Sequence, residues 1–263
     1  LSTTPTTISG NTCSGTSGTT LTASGGILGT NGPYQWGTGT IVGNNVISSN
    51  TTYPSIFVNP AVETTYWVRR VDSAPCSVST DGIFITVSKA STAPTYISGT
   101  ATICTGSTIT LTANGGATGT NGTFEWGTGT TVGNNIISGE SAGTISVSPT
   151  TTTVYWVRRF DSLPCNAATS GVTYTVNVNV DGIAPTSISG TESLCFGTGG
   201  TTLTAIGGTL GTGGRYQWGT GTVVGSNAIA GTTNSISINP NTTTTYWVRI
   251  VNGTPCTTFT NGV

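Results

Sequence analysis

The chain contains no histidine and no methionine, and charged side chains are rare: seven Lys and Arg stand against eight Asp and Glu in 263 residues, a formal net charge of −1. Without histidine or a recurring carboxylate pair, the sequence offers no machinery for general acid–base or nucleophilic catalysis. We therefore expect no enzyme and no cofactor. So few basic residues provide no electrostatic footprint for nucleic acid, which we exclude as a partner.

Long apolar runs are also missing, and no stretch carries apolar residues at helical spacing. We therefore expect no membrane span and few helices. The absence of a basic and then apolar leader indicates a mature or internal piece of a longer protein. So little charge offers weak electrostatic protection against association, so we expect either that identical chains pack together or that something else solvates the surface.

The sequence instead contains a threefold internal repeat. Cys13, Cys104 and Cys195 are equally spaced, and two motifs recur with them. The first motif, aromatic-x-Trp-Gly-Thr-Gly, lies at Tyr34–Gly39, Phe124–Gly129 and Tyr216–Gly221; the second, Tyr-Trp-Val-Arg, lies at Tyr66–Arg69, Tyr155–Arg158 and Tyr246–Arg249. A period of about 90 residues is a whole domain. We predict three domains: residues 1–92 (repeat 1), 93–183 (repeat 2) and 184–263 (repeat 3).

Within each repeat, apolar residues alternate with Thr, Ser and Asn over short runs that Gly-rich turns separate, as in Thr108–Ala113 and Thr173–Val178. This alternation indicates half-buried strands, and about seven such strands per repeat are typical of a β-sandwich. The predicted fold class is therefore all-β, with three tandem sandwiches. In repeat 1 we place the strands at residues 6–9, 19–24, 34–37, 46–48, 55–59, 64–71 and 83–88.

Repeat 3 stops before the segment that corresponds to Phe84–Val87, so we expect its last strand to be absent. Either the piece was cut from a longer array, or a neighbouring chain donates the strand. The junctions contain Pro94 and Pro185 after short Thr- and Ile-containing segments. Because proline restricts its own backbone and that of the preceding residue, we expect short, stiff joints.

The six cysteines provide one candidate disulfide per repeat. Among the fifteen connectivities, pairing within each repeat is the simplest, because every module then folds alone. That interpretation joins Cys13 with Cys76, Cys104 with Cys165, and Cys195 with Cys256. Buried thiols or metal ligands are the alternative, but no histidine and no close cysteine pair is present, so we expect no metal site. Disulfides imply an oxidising compartment and an extracellular, cell-surface protein.

The recurring aromatic residues divide into two groups by strand geometry. The first group is predicted to lie in the core: Trp36, Trp126, Trp218, Tyr66, Tyr155 and Tyr246. The second group lies on the opposite face of the same strands: Trp67, Trp156, Trp247, Arg69, Arg158 and Arg249. An exposed Trp beside an Arg is a candidate contact for another subunit or a sugar. Alternatively, each Trp only covers the sheet under its Arg neighbour.

The order of motifs in the chain resembles a known family. In repeat 2 they are Ile103–Ser107, Leu111–Ala113, Phe124–Trp126, Thr152–Val157 and Cys165. This pattern resembles the bacterial immunoglobulin-like repeats of very large secreted surface proteins of Bacteroidota, and the resemblance covers all three repeats. It implies immunoglobulin-like sandwiches, export by the type IX secretion system, and a role in adhesins, gliding-motility proteins or extracellular filaments, including grapple-like ones. It carries no catalytic residues.

From the resemblance and the repeats together, we expect a stiff rod segment of a surface filament or giant adhesin that associates with identical chains. The alternative is an array that binds carbohydrate or another cell's surface. Asp72-Ser73-Ala74 and Asp161-Ser162-Leu163 resemble the O-glycosylation signal of Bacteroidota, so Ser73 and Ser162 are candidate glycosylation sites. Repeat 3 departs from this signal, with Asn252-Gly253-Thr254. The alternative interpretation is an ordinary turn before a proline.

Overall fold

The structure is a computed structural model that describes residues 1–29, 32–195, 197 and 199–263. It divides into two compact units, and the boundary between them passes through repeat 2. Unit 1 comprises Leu1–Ser98, Thr112–Ile145 and Tyr155–Tyr174; unit 2 comprises Gly99–Leu111, Ser146–Val154 and Thr175–Val263. The domain boundaries at residues 92 and 183 stay predictions.

Repeat 1 is a pair of sheets. Its strands are β1 (Thr7–Ser9), β2 (Cys13–Ser14), β3 (Thr19–Ser24), β4 (Tyr34–Thr38), β5 (Val46–Thr51), β6 (Ser55–Val58), β7 (Thr64–Arg70) and β8 (Ile83–Lys89). One sheet has the order β1-β3-β6 and the other β2-β8-β7-β4-β5. Neighbouring strands are antiparallel except β2, which runs parallel to β8 and pairs Cys13 with Ser88.

Repeat 2 is also a pair of sheets, and the edges of its larger sheet differ from those in repeat 1. Its strands are β9 (Tyr96–Ser98), β10 (Thr102–Cys104), β11 (Ile109–Asn114), β12 (Gly122–Thr128), β13 (Thr144–Val147), β14 (Thr153–Asp161), β15 (Ala167–Ala168) and β16 (Val172–Asn179). The sheets have the orders β13-β11-β9 and β10-β16-β14-β12, with β15 paired to β14. The short strand β10 is parallel to β16, as β2 is to β8.

The described residues of repeat 3 form two three-stranded sheets. Its strands are β17 (Ser187–Ser189), β18 (Thr201–Ile206), β19 (Arg215–Thr220), β20 (Ala228–Ile229), β21 (Ser235–Ile238) and β22 (Tyr246–Val251). The sheets have the orders β17-β18-β21 and β20-β19-β22. Val263 exchanges two backbone hydrogen bonds with Val248, at 2.9 and 3.1 Å, in the place where Ile83 faces Val68 in repeat 1.

The strands follow from the alternation in the sequence. In β3, Thr19, Leu21 and Ala23 are buried, while Thr20 and Ser24 are exposed. Because successive side chains of a strand point to opposite faces, one face of β3 packs into the sandwich and the other faces solvent. Burying a Leu or Val side chain in this way stabilises the fold by roughly 1.5–3 kcal/mol.

A tryptophan lies at the centre of every repeat. Trp36, Trp126 and Trp218 are fully buried. Tyr66 and Tyr155 are also buried, whereas Tyr246 is only half-buried. Tyr66 is paired with Ile85 of β8, and no residue of repeat 3 takes the place of Ile85. The absence of that covering strand accounts for the greater exposure of Tyr246.

Two packed sheets with a central tryptophan are the architecture of an immunoglobulin-like sandwich, so the predicted all-β fold class is confirmed. All seven strands predicted for repeat 1 are present, and β5 extends to Thr51 instead of ending at Ser48. The prediction missed β2, because a strand of two residues carries no period-two pattern.

Candidate functional site

The tryptophans of the second group are not exposed, so the prediction of an exposed contact surface there is wrong. Trp67 and Trp156 are fully buried, and Trp247 is 2% exposed. Each indole Nε1–H donates a hydrogen bond to a backbone carbonyl of the turn that follows the paired neighbouring strand, which is β4, β12 or β19. The acceptors are Asn44, Asn134 and Ser226, at 3.1, 2.9 and 3.0 Å. The turn therefore covers the face that was expected to meet solvent.

The neighbouring arginines cover these rings from outside. The guanidinium carbons of Arg69, Arg158 and Arg249 lie 5.7, 5.6 and 5.6 Å from the ring centres of Trp67, Trp156 and Trp247, within cation–π range. Each Nε–H also donates to a side chain on the adjacent strand: Gln35 at 2.7 Å, Glu125 at 2.5 Å and Gln217 at 2.7 Å. In all three repeats the structure therefore agrees with the alternative interpretation, in which each Trp covers the sheet under its Arg neighbour.

The disulfides join different repeats, which overturns the predicted pairing within each repeat. Cys13 is bonded to Cys165 and Cys104 to Cys256, with Cα–Cα distances of 5.0 and 5.4 Å. Both span a sequence separation of 152. Cys76 and Cys195 are exposed, and the partners predicted for them are held by cysteines of repeat 2. The physical reason is position: β2 and β10 bring Cys13 and Cys104 beside the last strand of their own sandwich, where the chain leaves for the next repeat.

Within unit 1, the contacts between repeats 1 and 2 form what we call the first joint, built on Cys13–Cys165, Lys89–Thr120 and Ser91–Asp161. The Lys89 N–H donates to Thr120 Oγ1 at 3.1 Å, and the Thr120 N–H donates to the Lys89 carbonyl at 2.7 Å. Ser91 donates its N–H and its hydroxyl to the two carboxylate oxygens of Asp161, at 2.7 and 2.5 Å. These are charge-assisted bonds to a carboxylate that is almost fully buried, so they hold the linker firmly.

Within unit 2, the second joint uses the same positions between repeats 2 and 3. Val180 and Thr212 exchange the bonds that Lys89 and Thr120 exchange, at 3.1 and 2.9 Å. The Gly182 N–H donates to Asn252 Oδ1 at 2.8 Å. Asn252 Nδ2 donates in turn to Asp181 at 3.0 Å. The carboxylate belongs to the loop residue Asp161 at the first joint and to the linker residue Asp181 at the second. At both joints a linker N–H donates a hydrogen bond to the loop side chain at this position.

The amino-terminal entry to repeat 1 repeats this pattern. Ser2 donates its N–H and its hydroxyl to Asp72, at 2.8 and 2.6 Å, as Ser91 does to Asp161. The Gly29 N–H donates to Ser2 Oγ at 3.0 Å, as the Gly119 N–H does to Ser91 Oγ at 2.8 Å. Repeats 1 and 2 therefore receive the incoming chain through the same residue types, and repeat 3 does so through Gly182 and Asn252 at the equivalent positions.

The sequence interpretation missed the role of the carboxylates in this arrangement, because it read Asp72 and Asp161 only as parts of a glycosylation signal. It also missed the buried arginines beside them. Arg70 stacks on Tyr34 and Arg159 on Phe124, each at 4.2 Å. Burial lowers the pKa of Arg159, and the charge of Asp161 opposes that effect. The available signal was the recurrence of a polar residue at positions 72, 161 and 252, two residues beyond the Tyr-Trp-Val-Arg-x run.

The hydrogen bonds that Ser2 donates hold the pKa of Asp72 below its usual value. The carboxyl therefore binds a proton more readily in the unfolded chain than in the folded one. Its contribution to stability is complete above the ordinary pKa of about 4 and is lost as the pH falls through the lower folded value. We expect the stability difference between the wild-type chain and Asp72→Asn to shrink below about pH 4. Denaturant unfolding between pH 6 and 2 measures it, and a difference that is independent of pH would contradict the assignment.

Asp161→Ala should destabilise the first joint by about 2–3 kcal/mol, because it leaves the Ser91 N–H and hydroxyl buried without their acceptor. Asp161→Asn is the matched control, since repeat 3 carries Asn252 at this position and keeps one acceptor oxygen. We expect a smaller loss for Asn than for Ala, measured by denaturant unfolding. Equal losses would show that the Ser91 bonds contribute nothing beyond the charge.

The candidate glycosylation sites Ser73 and Ser162 are exposed. Both lie in the loop that carries the second cysteine of the repeat, where Ser162 O accepts from the Asn166 N–H at 3.2 Å and Ser73 O from the Ser77 N–H at 3.2 Å. The loop is thus a closed turn in which both serine residues are exposed. Glycosylation of these residues stays a prediction.

An open groove of about 1270 Å³ lies in repeat 3 between residues 188–195 and residues 238–246. Ile188, Leu203, Ile238 and Tyr246 supply its apolar lining. In repeat 1, β8 pairs with β7 at Tyr66, the residue equivalent to Tyr246.

Among the residues that the structure describes, no group of His, Cys, Asp and Glu is arranged to hold a metal ion. The same residues include no helix long and apolar enough to cross a membrane.

The comparison with protein families agrees with the fold at repeat 2. Residues 92–179 match the family described as "Ig-like domain CHU_C associated". The match ends within a few residues of the boundaries predicted for repeat 2. Repeat 2 is thus similar to an immunoglobulin-like domain of that type. A search of curated proteins found no match to the chain.

Three solved structures are similar to the chain over nearly its whole length. The three N-terminal domains of the bacteriophage RB49 highly immunogenic outer capsid protein share 14% identity, with a TM-score of 0.43, over 98% of this chain and 93% of that one. The FN1–FN3 domains of chicken CNTN1 share 12% identity, with a TM-score of 0.30, over 98% and 96%. A Ca²⁺-stabilized adhesin of an Antarctic bacterium that binds ice shares 13% identity, with a TM-score of 0.30, over 98% and 72%.

Proposed function

We propose that this chain is a structural segment of an extracellular surface filament or giant adhesin, in which immunoglobulin-like repeats are locked to one another and resist extension. The observation that carries the proposal is the pair of disulfides across the two joints. A binding module that acts alone gains nothing from being bonded to the next module. An array that bears tension gains covalent continuity at the place where modules would otherwise separate.

The hydrogen bonds at the joints support the same role. Each linker is bonded to the body of the following repeat through both its backbone and a buried polar side chain, by Asp161 at the first joint and Asn252 at the second. Such contacts leave the linker little rotational freedom. Rotating it would break these hydrogen bonds and leave buried polar groups without partners, which costs free energy. A stiff array places whatever it carries at a fixed distance from the cell.

The location and partners belong to the proposal as well. Disulfides persist in oxidising compartments, which favours an exported protein at the cell surface. The family resemblance adds type IX secretion and a Bacteroidota host. With a net charge of −1 over the whole chain, electrostatic repulsion between copies is weak, so we propose lateral association of identical chains.

The alternative function, an array that binds carbohydrate or another cell's surface, loses its main support. It relied on Trp67, Trp156 and Trp247 as exposed platforms for sugar rings, and these side chains are buried under arginine. An aromatic ring stacks on a sugar only when its face is accessible. None of these three tryptophans therefore offers an accessible ring face on which a sugar could stack.

Electron microscopy of the purified chain without reductant tests the proposal. We expect laterally packed filaments, or straight particles with a constant angle at each joint. The same sample treated with reductant, and the double variant Cys13→Ser with Cys165→Ser, serve as controls in which the first joint loses its covalent bond. Isolated particles with freely varying angles in the non-reduced sample would overturn the structural role. A glycan array probed with the same sample would then be the next measurement.

A further inference from the structure

Three loops of the chain present a cysteine in the same way. Cys76, Cys165 and Cys256 each follow a proline directly. In each repeat the loop begins after an anchored backbone group: the N–H groups of Arg70, Arg159 and Ile250 donate to the hydroxyls of Thr80, Thr169 and Thr260, all at 3.0 Å. Cys165 and Cys256 are bonded to the repeat that precedes them, and Cys76 is exposed at the corresponding place on repeat 1.

The rest of that surface is also arranged as it is at the joints. Ser2 is bonded to Asp72 as Ser91 is to Asp161, so the chain enters repeat 1 along the same line as it enters repeat 2. Gly29 lies so close to this entry that an added Cβ would approach the Ser2 nitrogen to 2.5 Å. Gly119 is crowded in the same way by Lys89, Ala90 and Ser91. A chain extending back from Leu1 would therefore follow the direction that Lys89 takes at the first joint.

We infer that this end of repeat 1 is a docking surface for an immunoglobulin-like module joined in line ahead of Leu1, and that Cys76 forms a disulfide with the first cysteine of that module. The partner's chemistry is set by the two observed joints: a cysteine on a short strand parallel to the module's last strand, as Cys13 and Cys104 are. The inference goes beyond the proposed function, which requires no partner at Cys76.

The bond forms by thiol–disulfide exchange with an oxidised dithiol carrier or oxidised glutathione. The Cys76 thiol and the partner thiol each lose a proton and an electron, and one S–S bond forms between them. The carrier's own S–S bond breaks, and it takes up the two electrons and two protons as two thiols. The structure supplies what makes this site selective, since a docked module holds the partner sulfur next to Cys76 before oxidation.

The test uses the full chain with a second copy of residues 1–89 joined directly ahead of Leu1. That length places the Cys13 of the added copy at the same separation from the native Cys76, 152 residues, as in both observed disulfides. The added copy carries Cys76→Ser, so that every peptide containing Cys76 comes from the native repeat 1. After oxidation with glutathione and alkylation, non-reduced peptides are mapped by mass spectrometry.

We expect the Cys76 peptide linked to a Cys13 peptide, while Cys165 and Cys256 remain bonded as they are now. The matched control is the same chain with Cys13→Ser in the added copy, in which Cys76 should be alkylated. In that control, docking without the bond should still slow the reaction of Cys76 with maleimide at least tenfold compared with the original chain. An alkylated Cys76 in the extended chain, a Cys76–Cys76 link between two chains, or no slowing in the control would each overturn the inference. None of these outcomes depends on filament formation, so the proposed function is judged separately.

Discussion

Replacing Cys13 and Cys165 together by serine is expected to lower the free energy of unfolding of the non-reduced chain by about 5 kcal/mol. The bond closes a loop with a sequence separation of 152, and in the chain-entropy model a loop of that length restricts the unfolded chain by about this amount. The repeats should also lose their coupling, so that unfolding of repeat 1 separates from that of repeat 2. Differential scanning calorimetry and denaturant unfolding without reductant measure both effects.

The chain offers two matched controls. Cys104→Ser with Cys256→Ser removes a bond of the same sequence separation and should cost a similar amount at the second joint. Cys76→Ser changes an exposed cysteine and should stay within about 0.5 kcal/mol of the original chain. A large loss for Cys76→Ser, together with a Cys13–Cys76 peptide in the digest, would restore the pairing within repeats.

Single-molecule stretching tests whether disulfides shorten the extensible chain, without substitutions. With the observed bonds, the shortest covalent path from Leu1 to Val263 crosses both disulfides and contains about 80 residues, which extend to about 280 Å. Three bonds within repeats would leave a path of about the same length, so the peptide digest distinguishes the two pairings, whereas stretching distinguishes both from the reduced chain of about 260 residues. Extension by the full reduced length without reductant would show that the joints are not bonded.

The second large effect is expected at Trp156, where Trp156→Ala should destabilise the fold by about 3–5 kcal/mol. The ring is fully buried, its Nε1–H donates to the Asn134 carbonyl at 2.9 Å, and Arg158 lies over its outer face. Removing it leaves a cavity and an unpaired carbonyl, and it exposes the apolar stem of Arg158. Denaturant unfolding monitored by circular dichroism measures the loss.

Gly127 provides an independent check of the same packing. An added Cβ there would collide with the Trp156 ring, and it would come within 2.7 Å of Nε1. Gly127→Ala should therefore cost about 1–3 kcal/mol through overpacking. Tyr53→Ala is the control for aromatic loss at the surface, since Tyr53 is 75% exposed, and it should change stability by less than about 0.5 kcal/mol. Tolerance of Trp156→Ala with retained stability would contradict the burial of this face.

Substitutions that already exist between the repeats indicate which features the architecture requires. The buried Arg70 and Arg159 are replaced by the buried Ile250 in repeat 3, and Glu125 takes the place of Gln35 and Gln217. The Trp under an arginine and the bond between linker and loop are present in every repeat. The buried Trp and the bond between linker and loop are thus kept even where the neighbouring charged residues differ. This supports choosing them as the targets of the experiments above.

The sequence by itself determined the threefold period, the strands of repeat 1 and the core position of Trp36 and its equivalents, because period-two burial is a local property of each strand. It did not determine the environment of Trp67. Alternation separates the two faces of β7 but does not show that the turn containing Asn44 and the side chain of Arg69 cover the outer one.

The disulfide pairing was decided only by the tertiary structure. In the sequence, Cys13 lies closer to Cys76 of its own repeat than to Cys165 of the next, so spacing favoured the pairing that the structure overturns. What decides is that the two-residue strand β2 places Cys13 beside the end of β8, at the exit of the sandwich, where the loop containing Cys165 arrives. That proximity arises from packing between residues far apart in sequence, and no local pattern of residues encodes it.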